Sequence, residues 1–555
     1  MPFLSRRSPV LCRHACVATS QPLASSVGYD ILKAGGNAAD AAIAIAATLA
    51  VVEPCSTGLG GDMFCLWYDE AQKKVSCING SGKSPESLSW ERIQEAHPNE
   101  DGTINKENFR DSSLAVTVPG AAMGWEDVYK KHGSGTFTFL QLLEPAIRFA
   151  EEGFPVAPIT SYHWRAGMSQ ITKWLDGADE NIPFMTDDGL PPMPGSIIRN
   201  PDMARVLRDL GTLGAAKGFY EGKTGEAIVE KVNKHGGCIS MKDLQNHTST
   251  FPHPIKAEYR GCSLWQVPPN GQGIAGLVAL TGLAHLEEKG VVDEDLQVGS
   301  TEAYHVMMEM MRLGFADLKA HVADLDHMQV STDWLLDKER IGARAEKLFD
   351  PDKAVVQGVP DASSCTVSFQ VVDTNGNAIS FVNSNFMGFG TGMVPGGCGF
   401  SLQNRGFGFS LEKGHPNEIG PGKRPFHTII PGMLTHNDSN ELYATLSNMG
   451  GNMQPQGHFQ LTVDLLAGEL DPQAAIDMPR FCIVDGTQQG KVFMEEGIDE
   501  DVIDELKDKG HILESKIRGQ ERSVFGRAQI IKRDRTTGVL WAGSDGRADG
   551  CAIGF

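Results

Sequence analysis

The groups in this chain that could do covalent chemistry are hydroxyls, thiols and imidazoles, and each needs a partner at a fixed spacing. A threonine hydroxyl is a poor nucleophile unless a base lies within hydrogen-bond reach. Thr366 stands where a polar, aperiodic run, Asp350 to Ser364, gives way to an alternating one, Thr366 to Asp373. If the chain were cut before Thr366, the freed α-amine would be that base, held by covalent geometry. Such an amine titrates at about 7.7–8.0 in model compounds, so much of it is neutral near physiological pH. Spacing alone does not single out this chemistry, because strand threonines are common and a plain strand residue is the better reading of one.

Competing chemistries find less support. Gly58-Leu59-Gly60-Gly61 follows a helical run and lacks dinucleotide spacing, and Gly388 to Gly392 opens no predicted helix. There is no phosphate-binding loop ending in Gly-Lys-Ser/Thr, no His-Glu-x-x-His pair and no Gly-x-Ser-x-Gly elbow. His321, Asp324, Asp326 and His327 are spaced closely enough to hold a metal, but a solvated helix end explains them better. No metal or cofactor is expected.

The elements around these residues follow from periodicity. Ser20 to Lys33 and the alanine-rich Ala38 to Val52 read as helices, separated by the stop signal Gly35-Gly36-Asn37. Met63 to Tyr68 and Lys74 to Asn79 read as a strand pair after the Gly-rich Cys55 to Gly61. Helical patterns follow at Trp125 to Ala150, Pro201 to Leu210, Thr224 to His235 and Thr301 to Leu318, and the proline-rich Pro183 to Pro194 is irregular. Tyr304, Met307, Met308 and Met311 share one apolar face, as core filler does. Thr366 to Asp373 and Ala378 to Asn383 flank the turn Thr374-Asn375-Gly376-Asn377 as a hairpin. Tyr443 to Asn448 and Gln529 to Lys532 add strands, and Asp499 to Lys509 a helix. Hairpins alternating with groups of long helices predict antiparallel sheet layers covered by helices.

The chain has 555 residues, 41% hydrophobic and 21% charged, with a formal net charge of -21. Such a surface repels phosphate backbones and anionic lipid, so neither nucleic acid nor a membrane surface is an expected partner. The 11 cysteines are dispersed without metal-type pairing. With no apolar leader after Arg7, and Ala41 to Val52 too short to span a bilayer, the expectation is a cytoplasmic protein with reduced thiols.

The run Asp361 to Asp373, followed by Gly376-Asn377-Ala378-Ile379-Ser380, resembles the processing site of γ-glutamyltransferases, also called glutathione hydrolases. Ala18 to Ala24, Gly35 to Ala41, Pro54 to Asp62, Thr117-Val118-Pro119-Gly120, Met449-Gly450-Gly451 and Arg547-Ala548-Asp549-Gly550 resemble further signatures of the same family, in the same order. The resemblance implies an α+β fold, the αββα sandwich of N-terminal-nucleophile hydrolases. It implies self-cleavage into a large subunit, 1–365, and a small one, 366–555, which together form one catalytic domain. Thr366 would be the nucleophile for the cut and for turnover, on glutathione-like or related acyl amides, with water or an amine as acceptor. Ser384 would be a second hydroxyl near it, and the N–H groups of Gly450 and Gly451 would form the oxyanion hole.

The substrate-binding positions depart from that pattern. Ser81, in Asn79-Gly80-Ser81-Gly82, stands where the family reads the glutamyl α-carboxylate with an arginine. In Gln403-Asn404-Arg405-Gly406-Phe407-Gly408-Phe409, Gly408 stands at the aspartate that binds the α-amine; His427-Thr428 replaces a Ser-Ser pair, and Ser368 a histidine. A serine cannot make the paired charge-assisted bonds of an arginine. This resembles a divergent, acylase-like branch acting on glutaryl-type side chains, in which Ser81, Asn404, Arg405, His427 and Thr428 line the pocket. Arg405 is expected either to meet a substrate carboxylate or to sit in a surface ion pair. Three functions therefore stand: a γ-glutamyl hydrolase or transferase, an acylase of other acyl amides, and a non-catalytic scaffold, which joint retention of Thr366, Ser384, Gly450 and Gly451 argues against.

Overall fold

The computed structural model describes residues 7–175, 182–355, 365–484 and 490–555. Two antiparallel sheets lie face to face. The first has six strands in the order Cys551–Gly554, Cys16–Thr19, Cys365–Val372, Ala378–Phe386, Asp62–Asp69, Lys74–Asn79. The second has seven, in the order Val10–Cys12, Leu540–Ser544, Arg527–Arg533, Leu442–Met449, Gly432–His436, Cys262–Gln266, Ile255–Tyr259. Between them Phe64, Leu66, Tyr68 and Val382 meet Ile429, Met433, Ile531 and Ala542. Helices Pro22–Lys33, Ala38–Val52, Ala121–His132 and Phe139–Glu152 belong to the core on the outer face of the six-stranded sheet. Gly273–Glu288, Thr301–His321 and Met453–Leu466 belong to the core on the other. The expected αββα sandwich is the architecture observed.

Local chemistry explains the central pieces. Every residue of Ala38–Val52 is buried, and its alanines allow that helix to lie close to its neighbours. Asn37 caps it by accepting from the N–H groups of Ala39 and Asp40, and Asp40 returns a bond to the Asn37 N–H. The hairpin from Cys365 to Phe386 turns at Asp373, whose carboxylate accepts from Asn375 and Asn377 N–H and also from Ala38 N–H at the helix start. That carboxylate fixes the turn and sits at the positive end of the helix dipole. The run Asp350–Val355 has no strand or α-helix, as its composition predicts, and the rest of it, 356–364, lies outside the described residues.

Candidate active site

Sheet register brings Asp62, Thr366 and Ser384 together in the six-stranded sheet. Asp62 pairs with Ser384 across the six-stranded sheet, and Asn383 with Val367. The register then shifts between Asn383 and Phe386, a bulge that re-aims Ser384. As a result Thr366 Oγ1 donates to Ser384 Oγ at 3.1 Å, with both residues fully buried. Phe386, a bulky residue, holds φ at 76°, a strained conformation of the kind that costs about 1–3 kcal/mol. Its N–H bond to Ser384 Oγ at 2.8 Å and the guanidinium of Arg405, 4.1 Å above its ring, keep it there.

Arg405 is wholly buried, which rules out the surface ion pair that the sequence left open. Its Nη1 donates to Thr428 Oγ1 at 2.8 Å, and its Nη2 reaches Ser384 Oγ at 3.5 Å. Its Nε has no partner among the described residues. Burial pushes the guanidinium down to about 9, partly countered by the Asp62 charge, which leaves it cationic at neutral pH.

Asp62 is the hub beside it. One oxygen accepts from Gly82 N–H and Gly120 N–H at 3.0 Å each and from Gln403 Nε2 at 3.1 Å; the other meets His427 Nε2 at 3.0 Å. Burial alone would raise its pKa, but the bond from His427, the positive groups and the backbone donors hold it below the ordinary carboxylate value. His427 Nδ1 accepts from Ile429 N–H at 3.3 Å, so its proton lies on Nε2 and the ring is neutral. Burial and the nearby Arg405 charge lower its pKa to about 4 against the pull of Asp62.

The other positions fall around this network. Ser81 Oγ accepts from Asn270 Nδ2 at 3.0 Å, and Asn270 O accepts from His427 N–H at 2.9 Å. Asn404 is turned to the side, accepting from Met387 N–H at 3.4 Å and donating to Arg110 O at 3.3 Å. A Cβ at Gly408 would lie 2.5 Å from Phe426 O, so this backbone leaves no room for an aspartate there. Gly450 and Gly451 form the turn from strand Leu442–Met449 into helix Met453–Leu466, with φ of 123° and 56°. Glycine is the residue that adopts both at no steric cost. Ser368 is buried two residues along from Thr366, its hydroxyl without a partner among the described residues.

The residues His321, Asp324, Asp326 and His327 do not converge: Asp324 accepts from Arg424 N–H, and Asp326 and His327 lie in an exposed turn. A triad that sequence reading missed, His305, Glu309 and His511, does come together, with ligand atoms within 4.8 Å. There His305 Nδ1 and His511 Nε2 hydrogen-bond each other at 2.8 Å, and His305 Nε2 bonds Asp350 O at 2.8 Å. Glu309 accepts from Val355 N–H at 3.0 Å. His305 and Glu309 thus hold the backbone of Asp350 and Val355, while His511 bonds only to His305 within the triad. Sequence reading also missed Gln272, which bonds Thr428 O and Gly451 O, and the partnership of Asp62 with His427. Asp62 at least closes the Pro54 to Asp62 signature, whereas Gln272 carries no local signal.

Comparison with known proteins extends over nearly the whole chain. The family model described as Gamma-glutamyltranspeptidase matches residues 24–555. A Bacillus subtilis protein named glutathione hydrolase-like YwrD proenzyme is 34% identical, the match covering 97% of this chain and 98% of that one. An oxamate amidohydrolase proenzyme of Klebsiella pneumoniae is 30% identical over 98% of both. The crystal structure of cephalosporin acylase from Bacillus halodurans superposes with a TM-score of 0.88 at 37% identity, covering 100% of this chain and 98% of that one. The chain belongs to the gamma-glutamyltranspeptidase family and is a hydrolase and acyltransferase of that type.

Proposed function

We propose that this protein is made as a precursor, cuts itself between Cys365 and Thr366, and then hydrolyses or transfers acyl groups that carry a carboxylate. The observation that carries the reading is the line from Thr366 Oγ1 to Ser384 Oγ to Arg405, at 3.1 and 3.5 Å. The relatives' names support it: two are proenzymes, and the names mention different compounds, glutathione, oxamate and cephalosporin.

In the cut, Thr366 Oγ attacks the Cys365 carbonyl carbon, the peptide nitrogen leaves as the Thr366 amine, and water hydrolyses the resulting ester. In turnover the freed amine takes the Thr366 hydroxyl proton as Oγ attacks the amide carbon of the substrate. The N–H groups of Gly450 and Gly451 meet the developing oxyanion, and the proton passes to the departing amine. Water or an acceptor amine then takes the acyl group from Thr366.

Arg405 reads the carboxylate. Its Nη1 is held by Thr428 and its Nη2 reaches Ser384, which leaves Nε, without a partner among the described residues, as the donor that meets a carboxylate. Ser81 and Gly408 supply no charge for a glutamyl α-carboxylate and α-amine, and Gly408 has no room for one. A site without buried groups for the amine loses little when the amine is missing. The glutaryl and γ-glutamyl anilides should therefore have comparable kcat/KM, with Arg405→Gln lowering both. A γ-glutamyl preference of about 10³, or about 4 kcal/mol of transition-state binding, would overturn the acylase reading.

A further inference from the structure

We infer that Gln272 is a positioning residue that locks the oxyanion turn of one subunit from the other. The inference rests on the proposed cut after Cys365 and on the oxyanion role of Gly450 and Gly451. Gln272 is fully buried and sits just before helix Gly273–Glu288, in the part of the chain that becomes the large subunit. Its Nε2 donates to Thr428 O at 2.5 Å and to Gly451 O at 2.7 Å, and its backbone N–H donates to His427 O at 3.0 Å. All three acceptors belong to the part that becomes the small subunit.

The consequence follows from peptide geometry. Gly450 O accepts from Met453 N–H at 2.9 Å, and a trans peptide is planar, so Gly451 N–H must point the opposite way. What remains soft is the φ of Gly451, since glycine tolerates wide rotation. Gln454 N–H at 3.1 Å and Gln272 Nε2 both hold Gly451 O and so limit that rotation. The same amide holds the Thr428 carbonyl, and Thr428 Oγ1 accepts from Arg405 Nη1. One side chain therefore sets the oxyanion turn and the arginine bracket at a common distance. Gln272 Oε1 has no partner among the described residues, so the side chain is held there by its donor bonds and by packing.

The test uses the full-length protein and the glutaryl anilide. Gln272→Met keeps the shape and removes the donor. Since a misplacement of about 1 Å can cost about a hundredfold, its kcat should fall by about tenfold or more with KM little changed. Gln272→Glu offers a donor only while its buried carboxyl is protonated. Its rate divided by that of the parent enzyme should therefore rise as pH falls, which loss of packing alone would not produce. If Gln272→Met folds without cutting itself, the self-cutting rate of Gln272→Glu across the same pH range decides. A kcat of Gln272→Met within about twofold of the parent, or a flat Gln272→Glu ratio, overturns the inference. Gly451→Ala separates the two levels. If it lowers kcat while Gln272→Met does not, the oxyanion reading stands and Gln272 alone fails. If Gly451→Ala leaves kcat intact, both fail.

Discussion

Asp62 and His427 meet at 3.0 Å, fully buried, from positions that the proposed cut would place on different polypeptides. The pair is more than a single hydrogen bond, because the same carboxylate gathers Gly82, Gly120 and Gln403. It holds two large-subunit loops against the segment carrying Arg405. Asp62→Asn keeps the size but presents an N–H₂ group to a ring of donors. A buried group left facing unmatched donors typically costs about 1–3 kcal/mol. Thermal unfolding of the variant should show a clear drop in Tm, and unchanged stability would mean that the hub is not structural.

Ser384 holds the hydroxyl of Thr366 and supports the strained Phe386. Ser384→Ala should slow both self-cleavage and turnover by about tenfold to a hundredfold, since orientation of the attacking atom is lost. Time courses of subunit appearance on a gel, alongside kcat, check both. Unaltered rates would remove Ser384 from the mechanism.

His427 gives a pH dependence of stability with a definite sign. Its folded pKa is lowered from 6.5 to about 4 by burial and by Arg405. Below the ordinary value the unfolded chain binds a proton that the folded chain refuses, so the unfolded state takes up more protons. Stability from this group is therefore complete above pH 6.5 and is lost as pH falls toward 4. His458 and His163, both lowered to about 3 by burial, act in the same direction. His427→Gln should reduce the number of protons taken up on unfolding by about one. Melting curves from pH 7 to pH 4.5 measure this, and an unchanged slope would contradict the neutral-ring assignment.

The rate has its own pH dependence. Base catalysis needs the neutral Thr366 amine, so the acylation rate should rise with pH through the neutral range. Pre-steady-state bursts with the anilide isolate that step. A rate flat from acid to neutral pH would rule out the amine as base.

The sequence made some of this legible and hid the rest for physical reasons. The helix Ala38–Val52 and the hairpin around Asp373 are visible because local capping and turn chemistry specify them. The strand Cys262–Gln266 and its neighbour Gly432–His436 are short and buried, and helix Gly273–Glu288 is apolar nearly all round, so none has a clear period. Yet the loop out of that first strand supplies Gln272, and the approach to the second supplies His427 and Thr428. Arg405 reads as a surface charge in a glycine and phenylalanine run, and only contacts with residues distant in sequence, Ser384, Phe386 and Thr428, reveal it as buried. Partnerships such as Asp62 with His427 span hundreds of residues and leave no local trace.

The central claim is that the chain parts before Thr366 and works through the residue so exposed. Intact-mass measurement of purified protein, with N-terminal sequencing of each species, tests it most directly. The account predicts two chains that remain associated, the smaller beginning Thr366-Val367-Ser368, and a Thr366→Ala variant that stays whole and inactive. A single uncut chain that still cleaves acyl anilides, or a smaller chain that begins at any other residue, would contradict it.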